Sequence, residues 1–99
     1  MWDMYTVVLS ETFRAWLAAL KDTRAAVAVS HRLTRAAAGN FGDCKAVGEG
    51  VREMRIHTGP GYRLYFIQRG DVLVVFLVGG NKHTQQRDIT RALALAKEI

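Results

Sequence analysis

Seven consecutive apolar residues at 72–78 (VLVVFLV) constrain this chain more than any other stretch. The run is rich in β-branched residues and is bounded by Arg69-Gly70-Asp71 before it and Gly79-Gly80-Asn81 after it, so it reads as a strand. Successive side chains of a strand point to opposite faces. A strand that is apolar on both faces is expected to be central in its sheet and covered on both sides. It is also far shorter than the ~20 residues that span a bilayer, so no membrane association is expected.

The remaining elements are read around that strand. Residues 5–9 (YTVVL) form a β-branched, aromatic strand, and Ser10 after them suits a helix N-cap. Phe13, Trp16, Leu17 and Leu20 recur on one helical face, with Glu11, Arg14, Ala18 and Lys21 on the other. Asp22 restarts the pattern as a second N-cap. An apolar stripe of Ala26, Val29, Leu33 and Ala36 follows, beside a partly basic stripe of Arg24, Ala28, His31 and Arg35 that reads as a solvated face. Gly39 is placed to end this second helix. Residues 39–50 (GNFGDCKAVGEG) are glycine-rich without a period and read as a loop.

Strands are expected at 51–57 and 62–68. Between them lies the turn Thr58-Gly59-Pro60-Gly61, with Pro60 suited to a turn's second position and Gly61 to its third. Gly79-Gly80-Asn81 should break the apolar strand. From Thr84 a helical period returns, with Ile89, Ala92, Leu93 and Ala96 on one face. The order is β-α-α-β-β-β-α. This is an α+β fold: an N-terminal strand, a helix hairpin, antiparallel strands of one sheet and a C-terminal helix. Residues 1–99 form a single domain, since no repeat, linker or low-complexity segment interrupts them.

A chain of 99 residues buries roughly 65% of its unfolded surface, enough to fold alone with little margin. The net charge is +5, which suits a phosphate-bearing or acidic partner. The cations are spread: 5 Lys/Arg against 3 Asp/Glu in residues 1–40, 5 against 3 in 41–70, and 4 against 3 in 71–99. A basic patch must therefore be assembled by folding, because there is no polybasic tail. The one cysteine, Cys44, rules out an internal disulfide and fits a reducing cytoplasm. The opening MWDMYTVVLS lacks the basic start of a secretory leader.

Strand alternation then sorts the polar residues. Met54 and Ile56 share one face of their strand, while Glu53, Arg55 and His57 share the other. Leu64 and Phe66 oppose Arg63, Tyr65 and Ile67 in the next strand. If the apolar faces pack on the helices, the opposite faces gather Glu53, Arg55, Arg63 and Tyr65, and the break after residue 78 can bring Lys82 and His83 to the same region. Cleavage of RNA without a metal needs a base for the 2′-hydroxyl, cations for the growing charge on the phosphate, and an acid for the departing 5′-oxygen. Arg55, Arg63 and Lys82 fit the cationic role, and Glu53 or His83 can act as base or acid. The same residues also admit plainer readings. Glu53 and Arg55 can be a surface ion pair contributing roughly 0–1 kcal/mol. Tyr65 can be a packing residue at a sheet edge, and His57, beside the turn, a solvated one. No phosphate-cradling glycine loop, zinc spacing, two-metal carboxylate set or Gly-x-Ser-x-Gly elbow is present.

The segment VREMRIHTGPGYRLYFIQRGDVLVVFLVGGNKHTQQRDITRA resembles the C-terminal half of addiction-module killer proteins, the HigB-like branch of the RelE/ParE toxin superfamily. The resemblance lies in Met54-Arg55-Ile56, Gly59-Pro60-Gly61-Tyr62-Arg63, Gly79-Gly80-Asn81-Lys82, Gln85 or Gln86, and Asp88-Ile89. It implies a RelE-like fold and the toxin of a type II toxin–antitoxin system. That toxin would be a cytoplasmic, ribosome-dependent mRNA endonuclease that inhibits translation and needs no metal or cofactor. Its partners would be mRNA on the ribosome and an antitoxin encoded alongside, commonly a helix-turn-helix protein. Carried over by position, Arg55 and Arg63 match basic strand residues of such RNases, Lys82 lies near a basic position after the last strand, and Lys45 is a looser match. Lys45 and Tyr65 are the substrate-binding candidates. Glu53 departs from the pattern, since several relatives carry a basic residue there. The ParE branch of the same fold inhibits DNA gyrase without being an enzyme, so the alternatives for this chain are a ParE-like gyrase inhibitor or an inactive relative retained in a prophage.

Overall fold

The structure is a computed structural model that describes residues 4–99; residues 1–3, on which the reading of the opening segment partly rests, lie outside it. The observed order is β1 (Thr6–Leu9), α1 (Glu11–Ala19), α2 (Thr23–Ala37), β2 (Cys44–Gly48), β3 (Val51–Ile56), β4 (Tyr62–Arg69), β5 (Leu73–Asn81) and α3 (Gln85–Ala96), with a single 3-10 turn at Lys82–Thr84 leading into α3. The five strands form one mixed sheet in the order β1-β5-β4-β3-β2. β1 runs parallel to β5, and every other neighbouring pair is antiparallel. The α+β class read from the sequence holds. No helix among the described residues is long and apolar enough to cross a membrane.

Local chemistry explains the helix ends. The Ser10 hydroxyl accepts from the Phe13 N–H at 3.0 Å and donates to the Leu77 carbonyl at 2.6 Å, so the cap also ties α1 to the sheet. The Asp22 carboxylate accepts from the Arg24 and Ala25 N–H groups at 3.0 and 3.3 Å. α1 and α2 pack on one face of the sheet, where Phe13, Val29, Ala36, Met54, Leu64, Phe66 and Phe76 form a core. α3 packs on the other face, where Ala92 and Ala96 meet Val51, Tyr65, Ile67, Val75 and Leu77. β5 is thus covered on both sides, as its apolar run requires.

Four expectations need correction. The stretch read as a loop at 39–50 contains strand β2, paired with β3 through a register shift between Ala46 and Gly48. An irregular, half-exposed edge strand carries too weak an alternation to read from sequence. The Thr58–Gly61 turn is set one residue earlier than expected. The Gly61 N–H donates to the Thr58 carbonyl at 3.0 Å, so Gly59, at φ +57°, takes the second position and Pro60 the third. The buried stripe of α2 runs through Ala25 rather than Ala26. Finally, Gly79 and Gly80 do not break β5. They lie inside it, and side chains on both faces of the sheet require them there. A Cβ on Gly79 would strike the Trp16 ring from α1, and one on Gly80 would strike the Asp88 carboxylate from α3 and approach Thr84 Oγ1 to 2.8 Å. A register shift between Tyr65 and Phe66 against β5 accounts for Leu77 and Val78 both belonging to the α3-side core.

Candidate functional site

The α3-facing side of β3 and β4 carries the polar residues. Glu53 stands opposite Tyr65, and Arg55 opposite Arg63, so the four side chains share one face as alternation predicts. That face is not open along its whole length. α3 covers the first pair, and Glu53 and Tyr65 are both fully buried.

The Glu53 carboxylate is the hub. Its Oε2 accepts from Tyr65 Oη at 2.9 Å and from Gln85 Nε2 at 2.8 Å, and its Oε1 accepts from Arg55 Nε at 3.3 Å. Arg63 Nε lies 3.6 Å from Oε2, close enough for charge attraction but too long for a hydrogen bond, and this buried nitrogen has no other partner. Burial alone would raise the Glu53 pKa. Donation from Gln85, Tyr65 and Arg55, together with the charge of Arg63, outweighs burial and holds the carboxyl below its ordinary value. Glu53 is therefore a carboxylate at neutral pH. Burial first, and then the neighbouring Glu53, pushes the Tyr65 phenol far above its usual range. Two like charges directly opposite across a strand pair repel. Here one buried anion beneath Arg55 and Arg63 offsets that repulsion and fixes both guanidinium stems.

Beyond the Glu53–Tyr65 pair the face opens into a cleft of about 380 Å³, lined by Arg55, Arg63, Lys82, His57, Tyr62 and the Gly59–Gly61 turn, with Ile56 at its side. Three of the sequence-derived candidates, Arg55, Arg63 and Lys82, thus meet in one place. Lys82 is placed there by its N–H, which donates to the Gly61 carbonyl at 3.1 Å, and by the Asn81–Thr84 capping box around it. The other candidates lie elsewhere. His83 is exposed in the same 3-10 turn but does not line the cleft. Lys45, on β2, stands opposite Glu53 in register and is exposed, also outside the cleft lining. Tyr65 is neither at a sheet edge nor accessible, because β4 is the middle strand and α3 lies over it. Among the described residues, no three His, Cys, Asp or Glu side chains gather as a metal site requires.

The structure adds three residues to the site. Gln85, noted in the sequence only as part of a recurring pattern, reaches from α3 to the Glu53 carboxylate. At the rim of the cleft, His57 Nε2 lies 2.9 Å from Asp43 Oδ2. Arg32 of α2 donates to the Arg55 carbonyl at 2.7 Å and the Phe41 carbonyl at 2.9 Å, which clamps the segment before β2 against the end of β3. Gly42 makes room for that clamp, since a Cβ there would come within 2.6 Å of the guanidinium. No short-range signal marks Asp43 or Arg32, because their partners are 14 and 23 residues away.

A protein of Haemophilus influenzae, named only as an uncharacterized protein, is 47% identical over 88 residues, which are 89% of each chain. The two chains belong to one family. No family model matches the sequence.

Proposed function

We propose that this chain is a RelE-like toxin of the HigB branch, the growth-inhibiting half of a type II toxin–antitoxin pair. In this reading it is a cytoplasmic, metal-independent endoribonuclease that cuts mRNA on the ribosome. An antitoxin encoded alongside, of helix-turn-helix type, would neutralise it. The carrying observation is the cleft in which Arg55, Arg63 and Lys82 converge, next to a histidine and above a buried carboxylate. Guanidinium groups match phosphate oxygens in a bidentate way, and a lysine adds a point charge. A phosphodiester seated there has cations where negative charge grows during attack by the neighbouring 2′-hydroxyl. The role of Glu53 in this reading is to hold the two arginines. Ionised, holding three hydrogen-bond donors and facing the charge of Arg63, it has neither the proton affinity nor the access of a general base.

Induction of the chain in a bacterial host, followed by mapping of RNA 5′ ends, tests this. The reading expects growth arrest with new 5′ ends inside coding regions, and a fall of about 10²–10³-fold in cleavage for Arg63→Ala. Intact mRNA with double-strand DNA breaks and an SOS response would instead mark a ParE-like gyrase inhibitor. Growth without arrest would mark an inactive prophage relative.

A further inference from the structure

A cleft that binds the phosphate still lacks a group to take the proton from the nucleophile. Glu53 is buried and saturated, and His83 stands outside the lining. Among the described residues that line the cleft, His57 is the one imidazole and none is a carboxylate. His57 does not stand alone, since Asp43 holds it at 2.9 Å through Nε2. With Asp43 accepting, Nε2 is the donor and a neutral ring keeps its lone pair on Nδ1, which has no partner among the described residues.

We propose that His57, oriented by Asp43, is the general base of this cleft, and that the pair acts as a dyad in RNA cleavage. This rests on the reading of the cleft as an RNA-cleaving site. The 2′-hydroxyl proton passes to His57 Nδ1 and the 2′-oxygen bonds to phosphorus. The bond from phosphorus to the 5′-oxygen breaks, and that oxygen takes a proton from water. The products are a 2′,3′-cyclic phosphate and a 5′-hydroxyl, and His57 returns its proton to the hydroxide left behind. Arg55, Arg63 and Lys82 face the phosphate, while Asp43 stabilises the imidazolium.

The position of Asp43 is built into the fold. Its backbone carbonyl accepts from the Arg55 N–H at 2.9 Å, and Arg32 clamps Phe41 two residues before it to the same end of β3. The bond from His57 is the main influence holding the Asp43 carboxyl below its ordinary range. The next-largest influence, desolvation, acts in the opposite direction, and the charges of Arg55, His57 and Arg32 add to the lowering. The charged groups around the dyad are therefore Arg32 from α2, Asp43 from the segment before β2, Arg55 and Arg63 from the sheet, and Lys82 beyond β5.

Single-turnover cleavage of ribosome-bound mRNA by purified wild-type protein, His57→Ala, Asp43→Asn and the control His31→Ala, across a range of pH, tests the dyad. His31 lies on the exposed side of α2, away from the cleft. Thermal unfolding confirms that each variant is folded. Expected is a loss of about 10²–10⁴-fold for His57→Ala, together with loss of the acid limb of the pH–rate profile. Asp43→Asn should lose about 10-fold and shift that limb, an effect smaller than for a buried catalytic aspartate because Asp43 is half exposed. His31→Ala should match wild type. If His57→Ala cuts at the wild-type rate, or loses rate while keeping the acid limb, the dyad is wrong although the RNase reading stands. If the wild-type protein cuts no RNA, the RNase reading fails and the dyad falls with it.

Discussion

The two faces of the sheet solve different problems. The face under α1 and α2 is filled by aromatic and aliphatic groups. Phe66 and Phe76 lie 5.2 Å apart between ring centroids, and Phe13 lies 5.6 Å from Phe76. The face under α3 mixes an apolar core with a buried anion, its phenol and amide donors, and two arginines that lead out into a cleft. A carboxylate is costly to bury, and an apolar replacement is often as stable. The contrast teaches that the first face supplies cohesion and the second spends stability to hold cations at fixed positions.

The largest expected effect would test the apolar face alone. Phe76→Ala should cost about 3–5 kcal/mol by leaving a cavity between α1 and the sheet, seen as a drop in the urea midpoint; under the proposed RNase reading, cleavage per folded molecule should be unchanged. On the other face, Glu53→Ala should cost about 3 kcal/mol. It strands the buried Tyr65 hydroxyl and unpairs Arg55 and Arg63, though both arginines reach solvent and recover part of their hydration. The sharper test removes the carboxylate and the phenol together. Glu53→Leu with Tyr65→Phe should recover part of the Glu53→Ala loss, about 1–2 kcal/mol, since no buried hydroxyl is stranded, while Gln85, Arg55 and Arg63 still lose their acceptor. If the chain cuts RNA as proposed, Glu53→Ala and this double variant should both cut weakly, because the arginines have lost their anchor. A stable double variant with full cleavage would break the comparison.

A smaller effect probes the seam between the faces. Gly79→Ala should destabilise by about 1–3 kcal/mol in thermal melts, because the new methyl group meets the Trp16 ring rather than space. The smallest expected effect is in pH. The Glu53 carboxyl is depressed in the folded state, so its contribution is fully present above the ordinary glutamate value of about 4.3 and is lost as pH falls through its lower folded value. Glu53→Gln should flatten the fall in stability that begins as pH drops below the ordinary glutamate value of about 4.3. Phe76→Ala should leave its shape unchanged. Equal profiles for wild type and Glu53→Gln would show that the buried carboxylate is not the linked group.

Much of the fold is local and was legible in the residues. The caps at Ser10 and Asp22 and the period of α3 follow from neighbours within a turn of helix. Strand alternation put Arg55 and Arg63 on one face, and the apolar run of β5 required cover on both sides. Of the candidate site, only the shared place of Arg55, Arg63 and Lys82 was legible, since Glu53 and Tyr65 are buried and His83 and Lys45 lie outside the cleft lining. Only the tertiary structure could decide the rest. Burial of Glu53 and Tyr65 depends on where α3 docks, and β2 exists because β3 offers it hydrogen bonds across a register shift. Gly79 and Gly80 stay inside a strand because side chains from two helices close over them. His57 acquires its carboxylate only when Arg32 draws a distant segment to the end of β3. Period and capping act over a few residues and are written in the sequence as patterns. Which groups meet across the sheet is set by packing between segments far apart in the chain, and no local pattern records that.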